Sequence, residues 1–155
     1  MFMFKAEDMT GYKRCFNGDL VVNTLWAFMG ALGVAWHDGI VSPDYHVYKL
    51  SDALLPKYLD IVCRSEPFKV QILRHSKGIW SSRLRLYPES LLGMRFPIPP
   101  TSIQQRIVNY LEDTFKRDSN LIAELKRSIL LLEERRSALI SAAVTGEIPV
   151  EEMGA

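Results

Sequence analysis

Between Arg64 and Arg95 stand seven basic residues, Arg64, Lys69, Arg74, Lys77, Arg83, Arg85 and Arg95, against only Glu66 and Glu89. His75, Ser76, Trp80, Ser81 and Ser82 are interleaved with them. Such a mixture suits a nucleic-acid duplex. Lys and Arg neutralise phosphates, Ser hydroxyls fix register on the backbone, and an Arg in the major groove can bond guanine O6 and N7 together. Lys69, Arg74, His75, Lys77, Ser81, Ser82, Arg83 and Arg85 are therefore the candidate DNA contacts, centred on the stretch from His75 to Arg85. By charge alone the same stretch also fits an ordinary solvated face, and Trp80 also fits a core position.

Other chemistry is sparse. His37, His46 and His75 lack the spacing of HxH or HExxH sites, and no phosphate-binding loop, GxSxG or GxGxxG run occurs. Pro43-Asp44 and Glu124-Leu125-Lys126 imitate the two halves of a metal-dependent nuclease motif, but they stand about eighty positions apart and the second lies mid-helix. Pro99-Pro100 sits between Ile98 and Thr101, so it is not the Asp/Asn-Pro-Pro-aromatic run with which adenine N6-methyltransferases hold the target amino group. Cys15 and Cys63 have no neighbouring Cys or His, which excludes a CxxC zinc site and suits two buried thiols in a reducing compartment. The expectation is a non-catalytic binding protein with no metal and no cofactor in this chain.

The elements that must position these residues follow from pattern. A chain of 155 residues, 48% apolar, can bury one modest core with an appendage. Its net charge of +1 gives no overall sign of polyanion binding. Charge is instead divided: twelve basic and nine acidic residues precede Thr101, seven and nine follow Pro100. The opening MFMFKAEDM lacks the basic start and apolar run of a secretory signal, so a cytoplasmic location is expected. The apolar stretch from Leu20 to Trp36 is short for a bilayer and carries Asn23, Gly30 and Gly33. It predicts two buried strands around a turn, not a membrane span.

Strands are expected near Asp19–Leu25, Gly33–His37 and Tyr45–Leu50, and helices over Lys57–Arg64 and Pro67–His75, where apolar residues recur at three and four. Ser76–Leu86 reads as strand or loop, Glu89–Leu92 as a helical turn, and Phe96–Pro100 as extended. From Thr101 to about Ala143 no Pro or Gly interrupts a single helix, with a Thr101 or Ser102 hydroxyl as cap and Gly146 and Pro149 as the stop. A rod of that length should project from the globular part. Its heptad seam, with Val108 at position a, runs Val108, Leu111, Phe115, Asp118, Ile122, Leu125, Ile129, Leu132, Arg136, Leu139 and Ala143. Leu130 and Leu131 lie outside this seam, which widens the apolar surface beyond one coiled-coil contact. Ile122, Leu125, Ile129, Leu130, Leu131, Leu132 and Leu139 are the candidate partner-binding residues. The fold class is α+β: a small mixed or antiparallel sheet with helices over 1–100, a coiled-coil helix over 101–145 and a tail over 146–155.

The run Phe96-Pro-Ile-Pro-Pro-Thr-Ser-Ile-Gln-Gln-Arg-Ile-Val-Asn-Tyr-Leu, together with Leu132-x-Glu-x-Arg-x-Ala-Leu-Ile-x-x-x-Val-Thr-Gly, resembles the conserved helical region of specificity subunits of type I restriction-modification systems. Gln104 stands where the family more commonly has Glu. Upstream, Gly18-Asp19-Leu20-Val21, Ser42-Pro43-x-Tyr45, Lys57-Tyr58-Leu59 and Lys77-Gly78 are similar to the second half of a target-recognition domain. The resemblance implies a domain that reads one half of a bipartite site in double-stranded DNA, and helices that form an antiparallel spacer and dock the modification subunit. It implies that S-adenosylmethionine, ATP and magnesium belong to the modification and restriction subunits. It further implies that the recognition domain here begins midway, as a half-subunit pairing with a second copy or with another specificity chain, or as a remnant. A coiled-coil assembly protein that binds the modification subunit without reading DNA is the competing expectation.

Overall fold

A computed structural model describes residues 9–78 and 84–149. Five short strands, β1 (Lys13–Cys15), β2 (Leu20–Asn23), β3 (Leu32–Val34), β4 (Gly39–Val41) and β5 (Tyr45–Tyr48), precede helices α1 (Pro56–Arg64), α2 (Glu66–His75), α3 (Pro88–Leu92) and α4 (Thr101–Thr145). A 3₁₀ turn, Ala27–Met29, separates β2 from β3. Contacts divide the chain into Met1–Asn109 and Tyr110–Ala155.

In the first unit β2 is the central strand of an antiparallel β3-β2-β5 sheet, with Leu20 opposite Val34 and Tyr48. The stretch from Leu20 to Trp36 thus holds two strands around a turn. No helix among the described residues is long and apolar enough to cross a membrane. The strands are shorter than their apolar runs. After Asn23 the side-chain Oδ1 accepts the N–H of Leu25 and Trp26, which turns the backbone out of the ladder. The β1-β4 ribbon, pairing Arg14 with Ile40, was not legible: three-residue strands with exposed Arg14, Gly39 and Ile40 carry no alternating pattern.

Helices α1 and α2 cover the sheet and the 3₁₀ turn. Leu20, Val22, Ala27, Leu32, Val34, Leu59, Cys63, Phe68, Ile72 and Leu86 form the core. Both thiols are buried. One polar contact ties α1 to the sheet edge: Asp60 Oδ1 accepts the Val34 N–H at 3.2 Å, while Arg64 holds the same carboxylate at 2.9 and 3.2 Å. Gly33 permits this approach, since a Cβ there would lie 3.2 Å from Asp60 Oδ1.

The segment before α4 is strapped across α1 and α2. Tyr58 Oη donates to Pro97 O at 2.9 Å, Gln71 Nε2 donates to Arg95 O at 3.0 Å, and Phe96 meets Phe68 edge to face at 5.8 Å. Gln104, 0% exposed, completes the strap. Its Oε1 accepts the Leu55 N–H at 2.9 Å, and its Nε2 donates to Ala53 O and Pro99 O at 2.8 and 2.7 Å. The first turn of α4 closes on the carbonyl of Pro100, which accepts from Ile103 and Gln104, so the helix is engaged one residue before the expected hydroxyl cap.

Helix α4 is 45 residues long, about 68 Å at 1.5 Å per residue. Val108, the first residue of the expected seam, is 1% exposed and is not available as coiled-coil surface. The usable seam begins beyond it.

Candidate nucleic-acid interface and docking helix

The basic side chains are positioned by buried neighbours. Phe68 and Ile72 turn one face of α2 into the core, and at 100° per residue Lys69 and Arg74 fall on opposite flanks of that face. Lys69 is paired with Glu66 at 2.6 Å. His75 is half-buried and its Nδ1–H donates to Gln71 O at 2.8 Å, leaving Nε2 for another partner. Arg74 is exposed in the last turn.

Past the helix, Ser76 Oγ and N–H both return to Ile72 O. Lys77 and Arg85 then form an antiparallel bridge, each N–H donating to the other's carbonyl at 2.9 Å. Leu86, 2% exposed and bonded through its N–H to Thr24 O, anchors the return of the chain. In such a hydrogen-bonded pair the Cα atoms stand about 5.5 Å apart and both side chains leave from one face. Two like charges are therefore held side by side, and neither is ion-paired among the described residues. Like charges directly opposite are unfavourable unless an anion joins them. Ser81, Ser82, Arg83 and Trp80 lie outside the described residues.

Two basic residues have structural duties. The Arg64 guanidinium, held by a hydrogen bond to Asp60, has its pKa raised. Lys13 Nζ donates to the carbonyls of Pro43 and Tyr45 at 2.9 and 2.6 Å, clamping the ribbon to β5. Burial, with the nearby Lys13 charge, lowers the His46 pKa, and burial raises that of Tyr48. Among the described residues no group of three or more His, Cys, Asp or Glu could hold a metal ion. A cavity of about 200 Å³ beside β5 is lined mainly by apolar side chains, including Leu20, Leu50, Leu54, Phe68 and Phe96. Tyr48, Lys49 and Ser51 supply its polar lining.

In the second unit Ile122, Leu125, Ile129, Leu130, Leu131, Leu132 and Leu139 are all exposed, as are Phe115 and Leu121. Asp118 and Arg136 are exposed and have no ion-pair partner among the described residues. An apolar strip of this length is costly to leave in water. No protein-family model matches the chain, and a comparison with curated proteins finds no relative.

Proposed function

We propose that the chain is a DNA sequence-recognition subunit, or part of one, of a type I restriction-modification complex. In this reading the α+β unit reads one half of a bipartite site in double-stranded DNA, and α4 docks the modification subunit. The chain itself is non-catalytic: the modification subunit, with S-adenosylmethionine, methylates adenine, and the restriction subunit carries the ATP- and magnesium-dependent steps. The observation that carries the reading is the Lys77–Arg85 bridge, where two cations with no ion-pair partner among the described residues stand directly opposite each other on paired backbone. A phosphodiester is an anion of the kind that Lys and Arg side chains neutralise. The resemblance of Phe96 to Gly146 to the family's helical region, and the exposed apolar strip of α4, support the docking role.

The test is the genomic N6-methyladenine pattern with and without this gene beside a modification subunit. Loss of a bipartite motif on deletion is the expected result. An unchanged pattern, with the purified chain still binding the modification subunit, would replace the reading by that of a docking protein with no DNA role.

A further inference from the structure

We propose that the cavity beside β5 is a binding site for a small organic acid with a compact apolar body, whose carboxylate meets Lys49. The cavity measures about 200 Å³. Leu20, Leu59 and Phe68, all buried, form its floor. Its exposed lining residues are Leu92, 73% exposed, and Lys49. The end of β5, helix α3 and the strap through Met94 and Phe96 supply the walls. Protein interiors pack closely and leave few spaces larger than a water molecule. A space walled by apolar side chains holds water poorly and takes a hydrocarbon instead, about 150 Å³ being enough for benzene. This cavity therefore has room for a phenyl ring and a short methylene chain.

The polar lining selects the other end of the ligand. Tyr48, Lys49 and Ser51 all come from one stretch at the end of β5. Their side-chain hydroxyl and ammonium groups have no hydrogen-bond or ion-pair partner among the described residues. An ammonium only donates, and hydroxyls donate as well as accept. Burial, with the Glu89 charge, raises the Tyr48 pKa, so the phenol keeps its proton. Glu89 itself is exposed and outside the lining. A carboxylate accepts and does not donate, which matches a lining whose polar heads are one cation and two hydroxyls. Its bond to Lys49 is charge-assisted, and an amide of the same shape lacks that gain.

The neighbouring hollow at the start of α1 also includes Lys49, but it adds Asp19 and Asp52, two carboxylates that repel an acid. The apolar cavity has no acidic lining residue. It is also separate from the Lys77–Arg85 bridge, neither residue of which lines it. Its lining includes both Phe68 and Phe96, the pair that meets edge to face at 5.8 Å, together with Leu91 and Leu92 of α3. An occupant thus touches helices and strap at once. Because only the folded unit offers this site, binding raises the stability of that unit as ligand concentration exceeds the dissociation constant. The inference rests on the first unit alone and holds whether or not the chain reads DNA.

The experiment is a titration of the full chain, isotope-labelled at its methionine methyl groups, followed by NMR. The probes are hydrocinnamate, a phenyl ring on two methylenes and a carboxylate, and its amide. Met94 lines the cavity, whereas Met9 and Met29 are exposed and do not; Met94→Leu identifies its signal. The ring current of the bound phenyl is expected to shift the Met94 methyl, with a dissociation constant of about 0.1–1 mM for a ligand of this size. The Met9 and Met29 signals should stay in place. The amide should bind at least about fivefold more weakly than the acid. Lys49→Met, at an exposed position, should remove that difference in a chain that unfolds at the wild-type urea concentration. No shift of Met94 at about 5 mM acid, equal binding of acid and amide, or a preference for the acid that survives Lys49→Met would overturn the proposal.

Discussion

Replacing Gln104 by Leu or by Glu separates the work of its carboxamide oxygen from that of its nitrogen. Gln104 is fully buried, accepts one N–H and donates to two carbonyls, so it alone among common side chains of that length satisfies all three groups. Leucine keeps the volume and abandons the Leu55 N–H and the carbonyls of Ala53 and Pro99. An unsatisfied buried group costs about 1–3 kcal/mol. Ala53 is exposed and its carbonyl can turn to water, so the expected loss is about 2–4 kcal/mol. That corresponds to a urea midpoint lower by roughly 1–3 M for a slope near 1.5 kcal/mol/M.

Glutamate adds a pH signature. Its carboxylate can still accept from Leu55 but faces two carbonyl oxygens, whereas the neutral acid can donate to one of them. In the Gln104→Glu variant the folded-state pKa of the introduced carboxyl is therefore raised above its unfolded value of about 4.3. A raised carboxyl pKa means that the unfolded chain releases its proton first. The deficit of Gln104→Glu against wild type should be smallest below about pH 4 and grow as pH rises toward the folded pKa, by about 1.4 kcal/mol for each pH unit that separates the folded and unfolded values. The assay is urea unfolding followed by tryptophan fluorescence, since all three tryptophans precede Thr101. A deficit that does not change between pH 4 and 8, with Gln104→Leu near wild type, would refute the claim that this amide holds the strap.

Gly33→Ala should lower stability by about 1–2 kcal/mol, because its Cβ would crowd Asp60 Oδ1 at 3.2 Å; Asp60→Ala should cost about as much through the orphaned Val34 N–H, and Arg64→Ala less than about 1 kcal/mol, as thermal unfolding will show. Burial pushes the Cys63 thiol up to about 12 from its ordinary value of 9.0. The unfolded chain then loses this proton first, so stability is full below about pH 9 and falls as pH rises toward 12, a loss that Cys63→Ala should reduce in urea titrations between pH 8 and 10.5. Native Cys63 should also resist thiol reagents at pH 8 until the protein unfolds. Lys77→Gln and Arg85→Gln should each reduce the slope of log affinity against log salt by about 0.9 in duplex binding, and leave any methylated motif unchanged if they touch phosphate only. A slope unaltered in the double variant removes the bridge from the interface.

The sequence by itself determined the helices and the long α4, because three-and-four spacing is a local signal repeated over many residues. It also determined that Leu20 to Trp36 bends as two strands, through Asn23, Gly30 and Gly33, and that the cysteines would be buried. The heptad spacing along α4 depends on counting alone, but that Val108 is buried in the first unit was decided by the fold. Other features needed the tertiary structure. The β1-β4 ribbon is set by pairing across more than twenty residues, which no local pattern records. The burial of Gln104 has no local signal, because it depends on the loops of Ala53, Leu55 and Pro99 being brought around it. Arg64 and Lys69 counted equally with Lys77 and Arg85 as cations in the sequence, yet the fold gives the first two carboxylate partners and sets the last two side by side. Charge is written in the chain, but whether a charge is neutralised depends on distances that only folding fixes.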